Sequence, residues 1–264
     1  TLLKKDAVPF RPDDPSKLIF VNMEIVPAGR APIVVTPGAD SEVVLAEGAA
    51  FRIDLRLRPE GRVGPIVMSV EAYRAYFAER AELWERQALI KARACAGDAA
   101  VAARFFELTR PFVFRPGLDA GIVDEVRWMK QEIDRAQRAK GGERRNVKLG
   151  RGGIREVEFL VQAMQLLYAG DDPWLRGGNS RRALFRLTER GYLAPALGRA
   201  LGDALVYLRT VEHRLQILHE FQTHTLPEEP RALGLLARRM GIALPPDGAR
   251  RRFLAEYRRV TAAV

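Results

Sequence analysis

Two stretches of this 264-residue sequence carry side chains spaced as phosphate or metal chemistry would need them. In Phe51-Arg-Ile-Asp-Leu-Arg-Leu-Arg58, apolar and polar residues alternate strictly. A period of two predicts a strand with Phe51, Ile53, Leu55 and Leu57 on one face and Arg52, Asp54, Arg56 and Arg58 on the other. An aspartate projecting between arginines can hold Mg2+, a hard cation that takes carboxylate oxygen, while Arg56 meets a phosphate oxygen. The plainer alternative is an ion-paired aspartate on a solvated strand face. The second stretch, Asn146-Val-Lys-Leu-Gly-Arg-Gly-Gly-Ile-Arg155, runs from a glycine-rich loop into an amphipathic helix. Gly152 and Gly153 could let backbone N–H groups at the helix start approach a phosphate, with Lys148, Arg151 and Arg155 closing round it. Glu156 and Glu158 follow in the first helical turn, where carboxylates complement the helix dipole. The alternative is a glycine-rich hinge between helices, since the spacing matches neither a Walker A loop nor GxGxxG.

A third candidate pair, Lys91 and Arg93, follows an aromatic helix and could equally be an ordinary basic helix end. The three histidines, His213, His219 and His224, lack metal-ligand spacing and are expected to be structural or solvated. Cys95 is the single cysteine, so no internal disulfide or CxxC metal site can form, as suits a reducing cytoplasm. The chain carries a net charge of +10, made of 43 Lys and Arg against 33 Asp and Glu. Residues 1–50 contribute five basic and seven acidic groups, so the excess lies beyond residue 50 and is mostly arginine. That points to a phosphate-bearing partner, or to arginine-rich solvated helix faces. No apolar run is long enough to span a membrane, no secretory leader is visible, and the absence of an initiating Met suggests a piece of a longer chain.

The elements that must position these residues change character along the chain. Residues 1–50 are punctuated by Pro and Gly, with short apolar runs at Leu18–Val21, Ile33–Val35 and Val43–Leu45 that read as strands. From Ser69, a plausible N-cap, the period becomes helical, and Tyr73, Tyr76, Phe77 and Trp84 mark one helix running to about Ile90. Further helices are expected over Ile122–Ala136, Ile154–Leu167, around Leu184–Leu187, Leu197–Leu218, Leu233–Met240 and Arg250–Thr261, the last cut off by the chain end. The expectation is an α+β, mostly α chain: a small β-containing piece over 1–68 and a helical domain over 69–264.

Four segments, FRIDLRLRPEGRVG (Phe51–Gly64), WERQALIKARACAGD (Trp84–Asp98), KLGRGGIREVEFLVQ (Lys148–Gln162) and VEHRLQILHEFQTHTLP (Val211–Pro227), together resemble the bacterial glutamine synthetase adenylyltransferase/adenylyl-removing enzyme family. The resemblance implies a partial polymerase-β-type nucleotidyltransferase sheet followed by a helical bundle like that of PII-uridylyltransferases. It implies AMP transfer to and from a tyrosine of glutamine synthetase, with Mg2+, with ATP, ADP and phosphate as substrates or products, and with PII as a regulatory partner. Asp54 falls on the third carboxylate of that family's site, as catalytic residue and metal ligand. Arg56, Lys91, Arg93, Lys148, Arg151, Gly152, Gly153 and Arg155 are the implied nucleotide or phosphate contacts. Trp84-Glu-Arg86 and the basic loop look like the adenylyl-removing half, the attaching half being expected to carry His in place of Arg86. The sequence departs from the family where a Gly-Ser turn and an Asp-x-Asp strand should precede Asp54. Asp40-Ser-Glu42 mimics the pair only twelve residues upstream and is better read as chance. One carboxylate cannot replace three in organising two metals, so the chain alone is expected to be inactive or nearly so. A non-catalytic helical module that binds glutamine synthetase or PII is the alternative. A basic nucleic-acid binder is a weaker one, for want of an aromatic and basic platform.

Overall fold

The computed structural model describes the backbone of residues 23–25, 33–35, 41–45, 48–53, 58–61, 63–65, 67–95, 97–117, 121–139, 145–219 and 223–264. Side chains are described within these from Arg58 onward, apart from those at 133, 134, 136–139, 218 and 219. The chain is mostly helical and divides into two compact units, Thr1–Val113 and Phe114–Val264.

The first unit opens with four short strands, β1 (Met23–Ile25), β2 (Ile33–Val35), β3 (Ser41–Leu45) and β4 (Gly48–Ile53). They form an antiparallel meander in chain order, the arrangement that short connections allow. Glu42 lies opposite Arg52 and Val43 opposite Phe51, and the register shifts between Val43 and Val44. Two expected strand runs, Ile33–Val35 and Val43–Leu45, fall within these strands, while Leu18–Val21 lies outside the described residues. The alternating strand expected over 51–58 is seen as the end of β4; residues 54–57, with Asp54 and Arg56, lie outside the described residues.

Three helices complete this unit: α1 (Val70–Glu79), α2 (Leu83–Leu89) and α3 (Ala99–Val113). Ser69 caps α1 as its sequence position suggests, its Oγ accepting from the Ala72 N–H at 3.1 Å. The single helix expected to reach Ile90 is instead two. The break comes because the Glu85 carboxylate reaches back to accept from the Glu82 N–H at 2.9 Å and so starts α2 afresh. The same carboxylate accepts from the Tyr76 hydroxyl, 2.9 Å from each oxygen, and burial with this hydrogen bond pushes the Tyr76 pKa up to about 12. Arg86 is buried beside it and donates to the Val113 carbonyl at the end of α3, at 3.2 Å from its terminal nitrogen. Helix α3 itself was not foreseen, since Pro111 sits inside its last turn and reads as a breaker. Its Phe112 stacks on Phe77 of α1 at 4.5 Å between ring centroids.

The second unit is a helical bundle: α4 (Gly121–Ala139), α5 (Ile154–Tyr168), α6 (Ser180–Glu189), α7 (Pro195–His219), α8 (Pro230–Arg239) and α9 (Pro246–Ala263), with a 3-10 turn at Pro173–Leu175. Helical periodicity placed these correctly, and the described part of each buries apolar residues on one side, while the side chains of Ile133, Ala136 and Leu218 lie outside the described residues. Leu201, Leu205, Leu208, Val211 and Leu215 of α7 meet Ile154, Val157 and Val161 of α5 and Phe253 of α9 in one core. Leu197, read as part of the same stripe, is exposed at the start of α7. No helix among the described residues is long and apolar enough to cross a membrane.

Candidate functional site

The glycine-rich loop of the second unit is held from both ends. Asn146 folds its side chain over the loop, its Oδ1 accepting from the Lys148 N–H at 3.0 Å and the Leu149 N–H at 2.8 Å. Residues 145–147 also pair with 224–226 across the Asn146–Thr225 bridge, the Val147 N–H donating to the His224 carbonyl and the Leu226 N–H to the Arg145 carbonyl, each at 2.8 Å. The loop then turns through Gly152, whose φ of +68° is the left-handed region that favours glycine. A Cβ there would stand 1.8 Å from the Thr261 carbonyl oxygen of α9, and one on Gly153 would stand 2.7 Å from the Gly150 carbonyl oxygen. Gly152 and Gly153 therefore stand where other backbone approaches too closely for a side chain.

This geometry changes what the loop offers an anion. The amides at the start of α5 are already engaged: Gly153 N–H donates to Gly150, Ile154 to Val147, Arg155 to Lys148 and Glu156 to Gly153, at 2.9–3.1 Å. These amides are therefore not open to an anion, which leaves the side chains of the loop as the groups an anion there would meet. Of these, Lys148 is half-buried, Arg151 is exposed and Arg155 is half-buried over the Phe159 ring at 5.9 Å. Burial lowers the Arg155 pKa, and the nearby Glu158 carboxylate opposes that shift. The structure thus brings Lys148, Arg151, Gly152, Gly153 and Arg155 together on one loop and helix start. Lys91 and Arg93 are exposed just past α2 in the first unit.

Behind the loop lies a polar network that sequence reasoning missed. Arg209 of α7 donates to Glu158 of α5 at 2.8 Å and to Glu212, one turn further along α7, at 2.6 Å. Burial works against the Arg209 charge, but hydrogen bonds and attraction from both carboxylates outweigh it and raise its pKa. Glu212, whose side chain is only 4% exposed, also lies 2.9 Å from His224 Nδ1. Glu156 lies in the first turn of α5, as read from the sequence, and also pairs with Lys130 of α4 at 3.1 Å, whereas Glu158 falls beyond that turn. The i, i+3 spacing of Arg209 and Glu212 was readable on one helix; their link to Glu158 was not. His224 is half-buried and His213 is exposed, while the side chain of His219 lies outside the described residues.

Burial lowers the His224 pKa, helped by repulsion from Lys148, against the pull of Glu212. A folded pKa below the unfolded value means the unfolded chain binds the proton more readily as pH falls below about 6.5. Acidification through that window is therefore expected to cost wild type stability that His224→Gln keeps, with no difference above it. Thermal midpoints of both proteins across pH test this, and parallel curves would remove His224 as the source.

Among the described residues, no group of three His, Cys, Asp or Glu side chains is placed to hold a metal ion. Comparison with known proteins adds the context the geometry lacks. The family model described as GlnD PII-uridylyltransferase matches residues 127–264, and that described as glutamate-ammonia ligase adenylyltransferase matches residues 43–108. Proteins named bifunctional glutamine synthetase adenylyltransferase/adenylyl-removing enzyme are similar over most of the chain. The one from Xanthobacter autotrophicus is 46% identical over 74% of this chain and 20% of its own length. That from Pseudomonas putida is 44% identical over 70% and 19%, and that from Rhizobium meliloti 38% identical over 86% and 23%. The chain thus spans about a fifth of the length of these relatives.

Proposed function

Since the chain belongs to the bifunctional glutamine synthetase adenylyltransferase/adenylyl-removing enzyme family, we propose that it is the part of such an enzyme that serves removal of AMP from a tyrosine of glutamine synthetase. In the whole protein the companion activity attaches AMP from ATP, and PII acts as the regulatory partner. Residues 1–68 would belong to a polymerase-β-type nucleotidyltransferase domain and 69–264 to the helical domain. The observation that carries the reading is the gathering of Lys148, Arg151 and Arg155 on one doubly strapped loop within the family-matched segment. In the removal step, inorganic phosphate attacks the phosphorus of the tyrosyl-AMP linkage. The bond to the tyrosine oxygen breaks, that oxygen takes up a proton, and ADP leaves. Two anions must approach each other, and three neighbouring cations offset their repulsion. Asp54 is the ligand this chain would offer Mg2+, with Arg56, Lys91 and Arg93 as further phosphate contacts. Asp54 lies outside the described residues, among which no three His, Cys, Asp or Glu side chains are placed to hold a metal ion.

The alternative, a non-catalytic helical module, is favoured by the saturation of the α5 amides with the loop's own carbonyls. The two readings part in one experiment. Residues 51–264 are joined to an intact N-terminal nucleotidyltransferase segment and given adenylylated glutamine synthetase, Mg2+ and phosphate. ADP release that requires phosphate is expected from the chimera and not from the chain alone, and Arg151→Ala should weaken nucleotide binding by about 1–3 kcal/mol, the scale of a lost charge-assisted hydrogen bond. A chimera that only attaches AMP overturns the assignment to the removing half. Equal nucleotide affinity with and without Arg151 removes it from the site.

A further inference from the structure

The 3-10 turn Pro173–Leu175 and helix α6 build a rigid aromatic and arginine surface on the second unit. Trp174 is 38% exposed and Phe185 58%, their rings edge to face at 6.5 Å between centroids. Two guanidinium groups lie over the Trp174 ring, Arg186 at 5.2 Å and Arg190 at 4.9 Å. Arg186 is fixed further by donating to the Trp174 carbonyl at 2.7 Å and the Arg176 carbonyl at 3.1 Å. Asp172 caps the 3-10 turn by accepting from the Trp174 N–H and pairs with Arg190 at 2.8 Å. From Arg176 to Arg190 the chain carries five arginines and one acid, Glu189. Arg181 and Arg182 are exposed, with no ion-pair partner among the described residues.

We propose that the face made by Trp174, Phe185, Arg181, Arg182 and Arg190 docks an acidic protein segment carrying an aromatic or aliphatic side chain among its carboxylates. The inference stands apart from the nucleotide reading, since no residue is shared. Trp and Arg are the residue types that dominate binding energy at protein interfaces, and here Trp174 and Arg190 are already held by their neighbours, which lowers the ordering cost of docking. The open arginines supply charge complementarity to carboxylates, and their planar forks suit bidentate pairing. Phe185 offers the apolar contact. A nucleic acid fits less well, because stacking of a base needs a bare aromatic face and guanidiniums already lie over Trp174. A second copy fits less well too, since it would bring arginines against arginines and each chain carries +10.

The test uses the 264-residue chain and a fluorescein-labelled peptide of Asp, Glu and Phe, followed by anisotropy. Polyglutamate of equal length and an oligothymidylate serve as competitors. Wild type is expected to bind the peptide in preference to both competitors and more weakly as salt rises. Phe185→Ser and Arg182→Glu should each weaken binding about tenfold or more, the scale of an interface hot spot. Both side chains are exposed, so the thermal midpoint should hold, and the second variant serves if the first fails to fold. No binding by wild type, or variants that bind as wild type does, overturns the proposal. Polyglutamate binding as well as the peptide reduces the face to bare charge and also overturns it. So does tighter binding of the oligothymidylate with the same dependence on Phe185.

Discussion

Gly152→Ala is expected to destabilise the second unit by about 2–5 kcal/mol, combining a left-handed backbone penalty with overpacking. Both parts have a stated origin. The residue sits at φ +68°, where a Cβ strains the backbone, and the added carbon would fall 1.8 Å from the Thr261 carbonyl oxygen. Backbone cannot yield there as a flexible side-chain tip would. Either the loop leaves α9, or α9 shifts and disturbs the core around Phe253, Tyr257 and Val260. Gly202, in α7, is the control: a Cβ there meets nothing within 4 Å. Gly202→Ala should be neutral or stabilising, because alanine favours helix over glycine by about 1 kcal/mol. Urea unfolding of the two variants decides the matter. A loss below about 1 kcal/mol for Gly152→Ala would show that the close approach to Thr261 constrains nothing.

Legibility in the sequence followed the range of the interaction. Helix α7 was plain because Leu201, Leu205, Leu208, Val211 and Leu215 repeat at helical spacing, and every turn of that pattern is local. The end of α1 was not, because Glu82 and Glu85 look like ordinary helix residues until one carboxylate turns back on the chain. Helix α3 was hidden by Pro111, which lacks a backbone N–H and so reads as a breaker, although the helix runs on to Val113. The basic loop was legible from its composition, and its backbone packing was not. Glycines next to arginines suggest room for a phosphate, yet the room at Gly152 is filled by the Thr261 backbone from far along the chain. Glu158 was likewise assigned to the helix dipole, when its partner is Arg209 on another helix. Local pattern therefore located the cations Lys148, Arg151 and Arg155, and only the packed bundle disclosed what holds them.

Arg209→Met is expected to cost about 2–4 kcal/mol, below the full range for breaking a buried ion pair because Arg209 is partly open to water. Its side chain is 37% exposed, whereas that of Glu212 is 4% exposed and would be left buried without that partner. Methionine preserves the stem that packs along α7, so the loss reports charge more than volume. His224 Nδ1, 2.9 Å from Glu212, is a group able to replace that cation by taking a proton. Arg209 is one of the charges that hold the His224 pKa down, so its removal should let that pKa rise. A folded pKa moved upward favours the folded state on acidification, so the variant should lose less stability, relative to wild type, at about pH 5 than at about pH 8. Adding Glu212→Gln should restore part of the loss, since a neutral amide no longer needs the guanidinium. The double-mutant cycle is expected to return a coupling of about 1–3 kcal/mol. Additive single effects, with no change of the difference across pH, would mean that water rather than Glu158 and Glu212 satisfies Arg209, and that the strap behind the basic loop rests on Asn146 and the 145–147 pairing alone.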